Sequence, residues 1–240
     1  MKKNFAVIVA GGSGKRMKAP LSKQFMLLWD KPILMHTLLN FAQSKHEPEI
    51  VLVLPPEDLN TWEILSEIHS FHKPHFICTG GANRAESVLS GLKCLAANFP
   101  KSDTGSLVAV HDGVRPLATT AFIDHLFKEA RRFGNAIPVL PCRESVRTVK
   151  PDALGKGTTT YSMNRDELRF VQTPQIFRLR DLNRCYFEVA THNNFRSFTD
   201  DASLVEACGY SLHLSEGKVE NIKITYPDDL LIAEALMGRK

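Results

Sequence analysis

Five segments of the chain are almost continuously apolar and rich in β-branched residues: FAVIVA (5–10), EIVLVLP (49–55), HFICTG (75–80), SLVAVHD (106–112) and AIPVLP (136–141). A strand covered on both faces needs no polar alternation, so each is predicted to be an interior strand. Between them apolar residues recur every three or four positions, in PILMHTLLNFAQ (32–43), RAESVLSGLKCLAAN (84–98) and TAFIDHLFKEARRFG (120–134). These are predicted helices, the last stopped by Gly134 as its C-cap. Strands and helices alternating at this spacing imply right-handed crossovers and a single, mostly parallel (mixed) sheet flanked by helices, the α/β class.

The rhythm changes after Pro141. RESVRTVKPDALGKGTTTYSMNRDELRFVQTP is polar and Thr-rich, with short alternating stretches, and reads as an arm or hairpin over about 143–168 that turns near PDALGKG. Beyond it the pattern predicts a helix over 179–191, another over about 200–208, strands over 210–215 and 221–226, and a last helix opening at Pro227. There is no repeat and no low-complexity linker, so residues 1–240 read as one domain with an excursion.

Composition narrows the partners. At 240 residues and 43% hydrophobic the chain has ample material for a core. Its formal charge of +4 is modest and no run of five cations occurs, which points to small phosphorylated ligands and away from nucleic acid. The 5 cysteines are scattered without a C-x-x-C pair, as expected of buried thiols in a reducing compartment. MKKNFAVIVAGG mimics a signal peptide, but its apolar run is short and flows into a charged glycine turn; with no stretch of membrane-spanning length, a cytoplasmic protein is expected.

The first apolar strand runs into AGGSGKRMKAPLSKQF (10–25). Glycines after a strand let backbone N–H groups close on an anion, and Lys15, Arg16, Lys18 and Lys23 suit a highly charged one. Two phosphate motifs fail here. A P-loop needs glycine where Val9 stands and Ser or Thr where Arg16 stands; a dinucleotide fingerprint needs glycine at Met17. The plainer alternative is a tight turn with solvated cations. In AVHDGVRP (109–116), Asp112 ends a buried strand, where open α/β sheets bind ligands, and so suits a divalent cation such as magnesium. Arg115 is placed to reach an anionic substrate, whereas His111 reads as a turn cap. Lys223, between Ile222 and Ile224, faces away from both and reads equally as a site residue or a surface lysine. Asp228 and Asp229 suit a helix N-terminus, and Thr199 or Asp200 an N-cap. His69, His72 and His75 show no metal-binding pattern.

Taken in order, AGGSGKRM…SKQF, GGANRAESVLSGL, HDGVRP, TPQIF, TDDASLVEACG and EGKVENIKITYPDDL resemble the 2-C-methyl-D-erythritol 4-phosphate cytidylyltransferases, from Phe5 to about Leu236. The resemblance implies a Rossmann-like nucleotidyltransferase fold with a protruding β-arm, transfer of CMP from CTP to methylerythritol phosphate with release of pyrophosphate, and use of Mg²⁺. It further implies that Ala10, Gly11, Gly12, Ser13, Gly14, Arg16 and Lys23 hold the triphosphate, and that Gly80, Gly81 and Ser87 hold cytosine and ribose. Asp112 matches the metal-associated aspartate, and Arg165, Thr173 and Lys223 match residues that position the sugar phosphate; Arg115, read from its place after Asp112, and Ser145 in the arm complete the acceptor-binding set. The arm exchanges between subunits in that family, so a homodimer is implied in which Arg165 and Ser145 serve the partner's site. This chain departs from the family pattern in having Ser22 where proline usually precedes the loop lysine, Ala82 where an acidic residue often stands, and Ser145 for threonine.

The chemistry suits these residues. The acceptor phosphate is already an anion and needs no general base; the obstacle is repulsion between two anions, which fixed cations relieve along an in-line path. Arg16 and Lys23 are assigned to the α-phosphate and leaving pyrophosphate, and Arg165 and Lys223 to the incoming phosphate. A sister family acting on ribitol 5-phosphate is the nearest alternative, though MNRDEL and TPQ lean toward methylerythritol phosphate. A non-catalytic nucleotide sensor or dimeric scaffold is a second, opposed by the joint presence of Arg16, Lys23, Asp112, Arg165 and Lys223.

Overall fold

The computed structural model of the chain describes residues 3–11, 21–100, 105–151, 158–191, 195 and 198–238. Strand β1 (Asn4–Val9) is followed by a small hairpin of β2 (Leu27–Leu28) and β3 (Lys31–Pro32), then by α1 (Ile33–Ala42), β4 (Glu49–Leu54) and α2 (Leu59–Ile68). Next come β5 (Phe76–Thr79), α3 (Arg84–Asn98), β6 (Leu107–Asp112), α4 (Thr120–Phe133) and β7 (Asn135–Pro141). β1 pairs in parallel with β4 and β6, and β5 extends the sheet in parallel beyond β4.

Side-chain alternation explains why these strands are apolar throughout. Phe5, Val7, Val9, Val51, Val53, Val108 and Val110 enter the core beneath α3. Ala6, Ile8, Ala10, Ile50, Leu52, Leu54, Leu107 and Ala109 enter the opposite core, against α1 and α4. Fully burying one such large side chain is worth about 1.5–3 kcal/mol, so both faces reward apolar residues. Gly134 caps α4 with φ 95°, a left-handed angle that glycine adopts without strain.

After β7 the chain leaves the main sheet for the arm. β8 (Val146–Pro151) and β9 (Thr158–Met163) pair antiparallel as a separate two-stranded sheet, whose turn lies largely outside the described residues. β10 (Arg169–Val171) returns antiparallel to β7, and β11 (Gln175–Arg178) inserts antiparallel between β7 and β6, which makes the sheet mixed. Helices α5 (Leu179–Thr191) and α6 (Asp201–Ala207), strand β12 (Leu214–Glu216) beside β7 and helix α7 (Pro227–Met237) complete the chain. Asp200 is the N-cap of α6, and Asp229 accepts from the Thr225 and Tyr226 N–H groups at the head of α7.

Two strand expectations are corrected. The strand predicted over 210–215 shortens to β12, because Tyr210 and Leu212 pack on the core as a crossing segment before β7 is reached. Residues 221–226 form no strand: the Ile224 N–H donates to Val114 O in a loop, so no ladder develops. The apolar pattern does not single out α2 or β11. Among the described residues no helix is long and apolar enough to cross a membrane.

Candidate active site

β1, β4, β5 and β6 end at one edge of the sheet, and backbone hydrogen bonds carry the ladder just past it: Ala10 N to Val53 O (3.0 Å), Gly80 N to Leu54 O (2.8 Å) and Gly113 N to Val9 O (2.8 Å). This edge is where a sheet of parallel strands offers a ligand crevice. A cavity of about 210 Å³ opens there, lined among others by Ala10, Gly11, Lys23, Gly81, Ser87, Asp112 and Lys223. Gly12, Ser13, Gly14 and Arg16 lie outside the described residues, as do Lys15 and Lys18.

One wall is the second glycine turn and the head of α3. Asn83 caps the helix by accepting from Glu86 N (2.9 Å), and the Glu86 carboxylate accepts from Ala82 N (2.9 Å). The Ser87 hydroxyl donates to Asn83 O (2.9 Å) and accepts from Gly81 N (3.2 Å). A Cβ on Gly81 would lie 2.3 Å from Glu86 Cβ, so only glycine fits this close approach. A helix N-terminus built this way favours negative charge in the cavity.

Asp112, at the end of β6, collects three cations. Its Oδ1 accepts from Arg84 Nε (3.2 Å), and its Oδ2 from Arg115 Nε (3.4 Å) and Lys223 Nζ (3.0 Å). Burial by itself would raise the carboxyl's pKa, but Arg84, Lys223 and Arg115 outweigh burial and hold it well below the usual carboxylate range. Arg84 continues to Asp201 Oδ2 (2.8 Å), whose Oδ1 accepts from Tyr186 Oη (2.5 Å). Burial and then the Asp201 charge keep that tyrosine protonated.

Behind Asp112 lies a neutral relay. His111 is fully buried, with Nε2 3.3 Å from Arg115 O and Nδ1 2.9 Å from Thr173 Oγ1. A carbonyl only accepts, so Nε2 carries the proton and Thr173 donates to Nδ1. Thr173 Oγ1 in turn accepts from Asp112 N (3.1 Å), which commits its hydroxyl to the protein. Burial pushes the His111 pKa down to about 3. Asn221 ties the neighbouring loop, donating to Thr173 O (2.8 Å) and accepting from Arg115 Nη1 (2.8 Å) at its carbonyl. Lys223 is thereby aimed at Asp112 from an extended loop.

The structure thus brings Ala10, Gly11, Lys23, Gly80, Gly81, Ser87, Asp112, Arg115, Thr173 and Lys223 to one sheet edge. Arg165 and Ser145 are elsewhere: both are exposed in the arm region, and Arg165 donates to Arg143 O (3.2 Å). Motif spacing and periodicity do not mark Arg84, Tyr186 or Asp201 as chemistry. The only available signal for Arg84 was an arginine one residue after a helix cap at the ligand edge. Among the described residues no three His, Cys, Asp or Glu side chains gather to hold a metal ion. Among the described residues Asp112 Oδ1 accepts one hydrogen bond, from Arg84, and keeps a lone pair, which fits a cation that brings most of its ligands with it.

A family model described as 2-C-methyl-D-erythritol 4-phosphate cytidylyltransferase matches residues 5–239. Proteins of that name from Bacteroides thetaiotaomicron and Bacteroides fragilis are 43% and 41% identical to this chain, over 98% and 97% of it and 100% and 98% of their own lengths. The crystal structure of a 4-diphosphocytidyl-2C-methyl-D-erythritol synthase from Anaerococcus prevotii superposes with a TM-score of 0.80 at 27% identity, covering 99% of this chain and 96% of that one. That of a 2-C-methyl-D-erythritol 4-phosphate cytidylyltransferase from Thermus thermophilus gives 0.71 at 29% identity, with 98% of each chain covered.

Proposed function

Because this chain belongs to the 2-C-methyl-D-erythritol 4-phosphate cytidylyltransferase family, we propose that the crevice at the sheet edge holds CTP and its acceptor together and that cations perform the catalysis. The activity is transfer of CMP from CTP to 2-C-methyl-D-erythritol 4-phosphate, a step of isoprenoid biosynthesis. An acceptor phosphate oxygen forms a bond to the α-phosphorus, the bond from that phosphorus to the β-phosphate bridge breaks, and pyrophosphate leaves with the electron pair. No proton is transferred in this step. No observation favours ribitol 5-phosphate.

In this proposal Lys23, together with Arg16, neutralises charge on the α-phosphate and the departing pyrophosphate, while Lys223 and Arg165 hold the incoming phosphate. Gly11 to Gly14 would offer backbone N–H groups to the phosphates, while Ala10, whose own N–H donates to Val53 O, lines the crevice; Gly80, Gly81 and Ser87 seat the nucleoside. Arg115 and Thr173 act mainly by fixing Asp112 and His111. Asp112 is the carboxylate that would help hold magnesium, and the bound ion would supply further charge neutralisation. The arm, with Val149 and Tyr161 exposed, pairs two subunits so that Arg165 and Ser145 reach the partner's crevice. The working enzyme is a cytoplasmic homodimer, and neither nucleic acid nor membrane enters the proposal.

The observation that carries this reading is the cluster of Arg84, Arg115 and Lys223 on Asp112 at the strand ends. Pyrophosphate release, measured with CTP or ATP against methylerythritol phosphate or ribitol 5-phosphate, tests it. Turnover is expected with CTP and methylerythritol phosphate and should fall about a hundredfold or more in Lys223→Met, the scale of one lost charge-assisted contact. A Lys223→Met enzyme with full activity refutes the assignment.

A further inference from the structure

Lys23 stands between two residues whose side chains end on the same carboxylate. Ser22 Oγ donates to Asp58 Oδ1 at 2.9 Å, and Gln24 Nε2 donates to Asp58 Oδ2 at 2.6 Å. Asp58 closes the single turn Pro56–Asp58 that follows β4, with its N–H donating to Pro55 O (3.0 Å). It is therefore fastened to one of the strands whose ends build the site.

Asp58 also occupies the N-cap position of α2, where an aspartate ordinarily accepts from a helix N–H. It makes no such bond. Both oxygens are turned away from the helix and onto the loop that carries Lys23. On the next side, Phe25 is buried and stacks on Trp62 with ring centroids 6.4 Å apart, so the segment is held on both flanks of the lysine.

We propose that Asp58 is a positioning residue for catalysis: through Ser22 and Gln24 it clamps the Lys23 segment and sets where the ammonium meets the phosphates. The proposal rests on the role given above to Lys23. A long, rotatable side chain delivers its charge to one point only if its backbone is fixed, and a misplacement of about 1 Å can cost about a hundredfold in rate.

Ser22 offers a way to test the clamp apart from the fold. Its φ of −55° and ψ of 133° are angles that proline adopts, so Ser22→Pro stiffens the same backbone without the hydrogen bond. Pyrophosphate release with CTP and methylerythritol phosphate is measured for Asp58→Ala, Lys23→Ala, their double variant and Asp58→Ala with Ser22→Pro, alongside thermal unfolding of each. Asp58→Ala is expected to lower kcat about ten- to a hundredfold while leaving KM for the acceptor within about twofold. The double variant is expected to be no slower than Lys23→Ala alone, and Ser22→Pro to restore most of the lost rate. Losses that multiply in the double variant, or no recovery with Ser22→Pro, overturn the proposal. Asp58→Ala with full turnover beside a crippled Lys23→Ala overturns it while sparing the role of Lys23. Lys23→Ala with full turnover overturns both. If Asp58→Ala does not fold, Ser22→Ala opens the same clamp from its other side and carries the same comparison.

Discussion

Asp112→Asn keeps the shape of the side chain and removes its charge, so it isolates what the anion does for the three cations around it. Lys223 at 3.0 Å and Arg115 at 3.4 Å would lose their counter-anion, whereas Arg84 would keep Asp201 at 2.8 Å. Removing one partner from a buried ion pair costs about 3–5 kcal/mol, because the remaining charge stays desolvated. The retained amide oxygen, the surviving Arg84–Asp201 pair and the 40% exposure of the Lys223 side chain, which leaves Arg115 as the main desolvated charge, place this change at the lower end, at about 3 kcal/mol. For a chain of this size that corresponds to a fall in Tm of about 6–12 °C. The sign with pH follows from the depressed pKa. The stabilisation is present in full above the ordinary aspartate pKa of about 4 and is lost as pH falls toward the native value, where both states become protonated. Urea unfolding of wild type and Asp112→Asn at pH 7, 5 and 3.5 should therefore show a constant gap between the first two and a narrower one in the last. Equal midpoints at pH 7, or a gap that persists unchanged into acid, would refute the account of Asp112 as the anchor of the cluster.

Thr173→Val strips the hydroxyl that donates to His111 and accepts from Asp112 N; about 1–3 kcal/mol of stability should be lost in thermal unfolding, and an unchanged Tm would contradict the relay. His111, with its pKa held down to about 3, should stay neutral from pH 8 to 5, and an imidazole NMR titration with a midpoint near 6.5 would contradict its burial. Because the unfolded chain takes up that proton first, the stability contributed by neutral His111 is complete above about pH 6.5 and declines as pH falls toward the native value. Gly81→Ala puts a Cβ 2.3 Å from that of Glu86, so the turn must move; KM for CTP should rise about tenfold, and an unaltered KM would sink the nucleoside seat. Tyr161→Lys on the exposed arm should shift sedimentation toward a monomer and lower activity with it; a persisting dimer would show that the arm does not pair the subunits.

Much of the architecture follows from burial periodicity alone. The unbroken apolar runs of β1, β4 and β6 announce strands with two covered faces, and the three- and four-residue spacing of α3 and α4 announces their packed sides. These patterns are read in one dimension because every residue of a strand or helix reports its own environment. β11 escapes that reading: its strand is only the four residues Gln175–Arg178, and they lie between β7 and β6, far from either neighbour along the chain. The segment 221–226 misleads in the other direction: it alternates like a strand, yet its Ile224 N–H donates to the loop carbonyl of Val114 and no ladder forms.

The site divides along the same line. Glycines after a buried strand, an aspartate at a strand's end and a lysine between two isoleucines mark Gly11, Asp112 and Lys223 as candidates in the sequence, because backbone approach and side-chain direction are local properties. Which candidates touch is decided elsewhere. Lys223 has two equal readings as a sequence, and that its ammonium lies 3.0 Å from Asp112 is visible only in the folded chain. Arg84 and Asp201 are 117 positions apart, and Ser22 and Asp58 are 36 apart. A charge leaves no trace of its partner in the residues beside it, whereas a buried apolar side chain recurs with the period of its element. The amino-acid sequence therefore determines which segments are covered and which backbone turns can approach an anion, and only the folded chain decides which charges share a carboxylate.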